Sequence, residues 1–213
     1  MLEEFFLILR GASWTVSITL LSLAIGLLFG FPIMLLRSSR ILPLRVLAVA
    51  VIALIWAIPP IVWIFIVFFG LGTGVINISP FAAALAGLGV IAAANMAEIY
   101  RGGLISIQRG QWEAAKALNL KPIWTWRDII LPQMLRVALP ASATYAIGLL
   151  KDSAIASTIG VTDIAFQGAR LTQETFEGLR IFAMVGLIYI LLSLPIAWLS
   201  RKADFVLRAK VAR

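Results

Sequence analysis

SWTVSITLLSLAIGLLFGFPIMLL, Ser13 to Leu36, holds no charged residue in 24 consecutive positions. A helix needs roughly 20 apolar residues to cross about 30 Å of hydrocarbon, so this stretch has the makings of a transmembrane span. Outward from it, Val46 to Tyr100 carries one charge, Glu98, and is too long for a single crossing. Its middle, Gly70-Leu71-Gly72-Thr73-Gly74 followed by Asn77, Ser79 and Pro80, has the composition of a turn. Ile181 to Ser200 is again uncharged. Val137 to Leu150 is uncharged over only 14 residues, but Pro132 suits a first helical turn and Arg136 can snorkel toward headgroups. The expected fold is one all-α membrane domain over residues 1–213, with five spans near 13–36, 44–69, 81–98, 132–150 and 181–200.

Composition agrees. Of 213 residues, 62% are hydrophobic and 13% charged, against about a quarter charged in soluble domains, so the surface must meet lipid. Cysteine and histidine are absent, which removes disulfides, thiolate metal sites and the commonest general base. No metal site is expected. The first span is not read as a cleaved signal peptide, because Glu3 and Glu4 precede it and its basic residues follow.

Charge placement sets an orientation. With the N-terminus outside and the C-terminus in the cytoplasm, the inner segments hold 14 of the 18 Lys and Arg residues. These are Arg37, Arg40 and Arg45, then Arg101, Arg109, Lys116, Lys121, Arg127 and Arg136, then Arg201, Lys202, Arg208, Lys210 and Arg213. Glu3, Glu4, Asp152, Asp163, Glu174 and Glu177 fall outside. The net charge of +8 therefore reads as membrane orientation and not as a nucleic-acid footprint.

The cytoplasmic loop, 101–131, carries the most specific pattern. Trp112 to Leu120 has the composition of a short helix, with Ala114, Ala115, Ala117 and Leu118 offering a small-residue face. Lys121-Pro122 ends it. Pattern alone leaves two readings open: a helix that docks into a partner's groove, or an ordinary amphipathic loop helix.

Glu113-Ala114-Ala115 and Ile129-Ile130-Leu131-Pro132 resemble the cytoplasmic signature loop of ABC importer permeases. Asn119 stands where that loop usually has Gly; Asn is the next best residue for a left-handed helix end. Glu98-Ile99-Tyr100-Arg101-Gly102-Gly103 and Arg109-Gly110-Gln111-Trp112 are similar to the branch that imports polar amino acids, including histidine, glutamine, arginine and opines. Gly11 to Leu28 and Lys151-Asp152-Ser153 through Val161 extend the likeness over most of the chain. One stretch departs. That branch usually has an Arg-Gly-Thr-Pro segment in its second span, and here the place reads Trp56-Ala57-Ile58-Pro59-Pro60.

The resemblance implies a permease working by alternating access in the bacterial inner membrane. It implies a coupling helix of Gly110, Glu113, Ala114, Ala115, Ala117, Leu118 and Asn119 against an ABC ATPase dimer, which would hold ATP and Mg. It also implies a second permease subunit, identical or homologous, and a periplasmic or lipid-anchored substrate-binding protein. The chain has no Gly-x-x-x-x-Gly-Lys-Ser/Thr phosphate loop, so no cofactor is expected on it and it is not read as an enzyme.

Trp56, Pro59, Pro60, Asn95, Glu98 and Tyr145 are candidates for the translocation path. Pro59-Pro60 must break the second span, either to line a cavity with freed backbone groups or simply to kink it. Glu98 is either functional at membrane depth or paired with Arg101. Lys151 and Asp152 read as an interfacial pair or a gate, and Gly26 with Gly30 as a packing face or a chance occurrence. A passive channel or membrane-assembly protein without an ATPase would explain the spans and the charge bias, but not the loop.

Overall fold

The computed structural model describes residues 1–72 and 77–209, the last seven of them by backbone alone. Among these residues there is helix and no strand. Of the Gly-rich turn read from the sequence, Thr73 and Gly74 lie outside the described residues, as do Lys210 and Arg213.

Helix α1 (Leu2–Leu9) leads into α2 (Ala12–Arg37), and the two together give an apolar length of 36 residues. Helix α3 (Leu42–Ala57) stops where Ile58 and Pro59 turn extended. Helix α4 (Pro60–Phe65) and a π-helical turn (Ile66–Leu71) follow at 97° to α3. The expected second span is thus a sharply broken one, because Pro60 has no N–H to continue the ladder. Trp63 repairs part of the break by donating its indole N–H to the Ile55 carbonyl at 3.0 Å.

Ser79 caps α5 (Pro80–Ile105), its hydroxyl accepting from the Ala82 N–H. This helix runs past residue 98, so the first five residues of the expected cytoplasmic loop continue it. Helix α6 (Arg109–Ala117), the three-residue α7 (Pro122–Trp124) and a second π-helical turn (Thr125–Ile130) make up most of the rest of that loop. Helix α8 (Leu131–Asp152) passes through a 3-10 stretch (Ser153–Ile159) and a left-handed Gly160 into α9 (Ile164–Thr175). The last helix is α10 (Gly178–Ala209).

Three helical lengths among the described residues are long and apolar enough to cross a membrane, and the bent α3–α4 pair makes a fourth. Helix α8 has the length but, with Gln133, Arg136, Pro132 and Pro140, less apolarity.

Helices α2 and α5 share the most extensive contact. Glycine makes it possible: a Cβ on Gly26 would sit 2.8 Å from the Ala92 Cβ, and one on Gly30 would sit 2.6 Å from the Met96 Cβ. The Gly26–Gly30 pair therefore lies on a packing face. Three apolar cores result. One gathers Met34, Ile55, Met96, Tyr100 and Met134; a second gathers Ile18, Ile64, Leu88 and Leu149. The third ties Ile8 of α1 to Ile164, Leu171, Ile181 and Ile188.

Asp163 caps α9 from a fully buried position in the connection between α8 and α10. Its Oδ1 accepts the Phe166 N–H at 2.8 Å, while its Oδ2 has no partner. Burial pushes its carboxyl up from the usual range to about 7. A raised acid of this kind favours the fold while protonated, fully so below about pH 4, and that contribution is lost as pH rises through about 7. Wild-type melting temperature in detergent should therefore fall between about pH 4 and 7 and level off above that. Asp163→Asn, which keeps a capping oxygen, should flatten that fall.

Candidate functional site

Two places concentrate the residues singled out by the sequence. The first is helix α6, in the loop that the charge pattern reads as cytoplasmic. It begins one residue before Gly110 and ends at Ala117, with Leu118 after it and Asn119 in the left-handed region at φ 50°. The Leu120 N–H donates to the Ala115 carbonyl at 3.0 Å, closing the end in the manner of a Schellman turn. Asn suits that position because its short polar side chain tolerates positive φ.

The small-residue face divides in two. Ala115 turns inward and is 2% exposed, whereas Ala114, Ala117 and Leu118 face outward with Glu113. Leu118 is 71% exposed and Ile123, just beyond, is 66% exposed. A short helix thus shows an acidic residue, two alanines and a bare leucine to the solvent. Nothing in the chain covers that face among the described residues. Trp112 fixes the helix from below through an edge-to-face contact with Trp126, ring centres 5.9 Å apart.

The second place is the C-terminal half of α5 and what it touches. Asn95 lies on α5, its amide donating to the Ile91 carbonyl at 2.9 Å. Tyr145 of α8 meets the Asn95 side chain in a hydrogen-bonding contact, and Asp152 lies close enough to Tyr145 to act on it electrostatically. One turn further along α5, Glu98 accepts from Arg101 at 2.6 Å and pairs with Arg37 of α2 at 3.2 Å. Asn95 and Glu98 stand three apart, on one side of the helix. The structure thus brings Asn95, Glu98 and Tyr145 into one region. Trp56 stays half exposed on α3, and Pro59 and Pro60 sit at the bend.

Arg37 escaped the sequence reading as a partner of Glu98, since nothing in the spacing joins two residues so far apart. Its side chain and those of Glu98 and Arg101 are all less than a third exposed. Glu98→Gln would leave two guanidiniums facing each other, at a cost of about 1.5–3 kcal/mol for the lost charged hydrogen bonds. Melting in detergent should show that drop. Asp128→Asn, whose pair with Arg127 is largely exposed, should leave it unchanged. Trp63 was also missed as the residue that satisfies the α3 break.

The profile of the family described as "binding-protein-dependent transport system inner membrane component" matches residues 22–207. The chain is 35% identical to the probable amino-acid ABC transporter permease protein YckA of Bacillus subtilis, covering 88% of this chain and 83% of that one. It is 32% identical to the octopine transport system permease protein OccM of Rhizobium radiobacter, over 96% and 87%. It is 31% identical to the glutamine transport system permease protein GlnP of Escherichia coli K12, over 93% and 91%. Among solved structures, an amino acid ABC transporter crystallised with histidines superposes with a TM-score of 0.88 at 30% identity, over 96% of this chain and 95% of that one. A subunit of the MetNI methionine ABC transporter in an inward-facing form shares the fold, with a TM-score of 0.76 at 24% identity over 96% of each chain.

Proposed function

Because this chain belongs to the inner membrane components of binding-protein-dependent transport systems, we propose that it carries a polar amino acid or related small solute across the bacterial inner membrane. It is a permease subunit of an ABC importer, a multi-pass membrane protein of a system whose ATPase activity belongs to a partner subunit. The solute class rests on relatives named for amino acids, octopine and glutamine.

The observation that carries the mechanism is α6, a cytoplasmic helix whose outward face is left bare. In this reading Glu113, Ala114, Ala117 and Leu118 dock into a groove on an ATPase dimer, which holds ATP and Mg. A second permease subunit completes the path, and a binding protein outside delivers the solute. Five spans, with α3–α4 as the broken second and α8 as the fourth, put the N-terminus outside and the C-terminus in the cytoplasm. Asn95, Tyr145 and Glu98 line the path, and the Pro59–Pro60 bend with Trp56 borders it. Two packings of the helices expose the path to one side at a time.

The test is copurification with an ABC ATPase of the host cell, followed by uptake of arginine, glutamine or cystine into proteoliposomes holding the full complex and its binding protein. Capture of the ATPase and ATP-dependent uptake of one of these solutes are expected. If no ATPase is captured and solute leaks without ATP, the passive channel reading replaces this one.

A further inference from the structure

Gln111, near the start of α6, and Gln133, near the start of α8, meet across the cytoplasmic loop. The Gln133 side-chain amide donates to the Gln111 Oε1 at 3.1 Å and to the Ile129 carbonyl at 2.9 Å. Both protons of that amide are thus used, one on α6 and one on the π-helical turn that leads into α8.

The Trp112–Trp126 contact lies beside this bridge and joins the same two elements. Trp112 and Trp126, with Ala115, Lys116, Leu120 and Thr125, also border a cavity of about 190 Å³. Helix α6 therefore bears on the body of the protein through Gln111 and Trp112 near its start and Ala115 further along. A push delivered to the outer face of α6 leaves through Gln111 and Trp112. What receives it is a π-helical turn, a rare form of helix that is frequent at functional sites.

We infer that Gln111 and Gln133 are positioning residues of the transport cycle: their amide pair, seated on the π-helical turn Thr125–Ile130, is the linkage that delivers the movement of α6 to α8. This rests on α6 being the helix that docks the ATPase. The pair touches neither solute nor nucleotide and acts only by joining the docked helix to the membrane helix.

The chain has no cysteine, so spin labels attach only where cysteine is introduced. Thr144→Cys on α8 and Leu20→Cys on α2 occupy exposed positions. The distance between them is read in the assembled complex with its ATPase, at rest and after trapping with ATP and vanadate. In the wild type the distance shifts on trapping. In Gln133→Leu, which keeps volume and removes both donors, the ATPase stays bound and hydrolyses ATP but the shift is lost. Gln111→Met, which removes only the acceptor, reports the same thing should Gln133→Leu fail to fold. Gln111→Glu, which still accepts from Gln133, restores the shift, and a purely structural role would not sort the two Gln111 variants in this way.

A shift of wild-type size in both Gln133→Leu and Gln111→Met overturns the linkage. So does a wild-type complex that binds its ATPase and shows no shift. A wild type that binds no ATPase overturns the docking reading itself, and copurification separates that failure from the others.

Discussion

Glu113→Arg should strip the ATPase from the permease and leave the membrane helices folded. Helix α6 is held to the body from its inner side, by Ala115, Trp112 and Gln111, and Glu113 takes no part in that attachment. Its carboxylate is exposed on the face that also shows Ala114, Ala117 and Leu118. Inverting a charge inside an interface leaves the partner's complementary group buried and unpaired, which costs about 2–5 kcal/mol. At 1.4 kcal/mol per decade this weakens binding roughly 30- to 4,000-fold. Copurification should therefore lose the ATPase, and solute uptake should fall to background. The melting temperature of the permease alone should match the wild type. Full uptake by Glu113→Arg would sink the docking assignment, however well the rest of the fold agrees.

The second large effect is expected at Gly30. A Cβ there would stand 2.6 Å from the Met96 Cβ and 2.9 Å from the Ala97 nitrogen, and the latter is main chain that cannot step aside. Gly30→Leu must push α2 away from α5 along the largest helix contact in the molecule. Overpacking usually costs about 1–3 kcal/mol, and an obstruction by backbone belongs at the upper end. In lipid the loss falls directly on helix association, which depends on close packing. The variant should be recovered in small amounts and melt early in detergent. Gly148→Ala, where a Cβ meets nothing within 4 Å, is the matched control and should melt like the wild type.

The membrane character of this chain was legible because the solvent imposes it. Long uncharged runs and an asymmetric distribution of Lys and Arg are demanded by the bilayer and do not wait on tertiary packing. The break at Pro59-Pro60 was legible for a similar reason, since a missing N–H is a local fact. Its 97° angle was not, because direction depends on what the next helix packs against. Helix α8 looked short because apolarity was the measure. It extends to 22 residues because Met134, Ala138, Ser142 and Ala146 face other helices, where Pro132, Gln133 and Arg136 are tolerated alongside them.

The candidate site divided along the same line. The loop pattern named α6 before any coordinates, but composition could not say that Ala115 points in while Ala114 points out. The two π-helical turns left no sequence signal, since each exists only by accommodation to its neighbours. The Arg37–Glu98 pair and the Trp63 bond to Ile55 join residues that no periodicity relates. Asp163 read as one more outer acidic residue, and only the packing of α9 against its neighbours shows it buried.

The third core has a consequence for biogenesis. Ile8 finds part of its cover in Ile164 and Leu171 of α9 and the rest in Ile181, Val185 and Ile188 of α10, and Glu4 finds Arg180, 176 residues further along. Helix α1 must therefore wait until both α9 and α10 have been made before its inner face is closed. Until then Ile8 lacks part of its apolar cover and Glu4 lacks Arg180. A chain cut short before α10 would keep the residues of the other two cores and lose Ile181, Val185 and Ile188 from this one, so the closing of α1 reports directly on the making of α10.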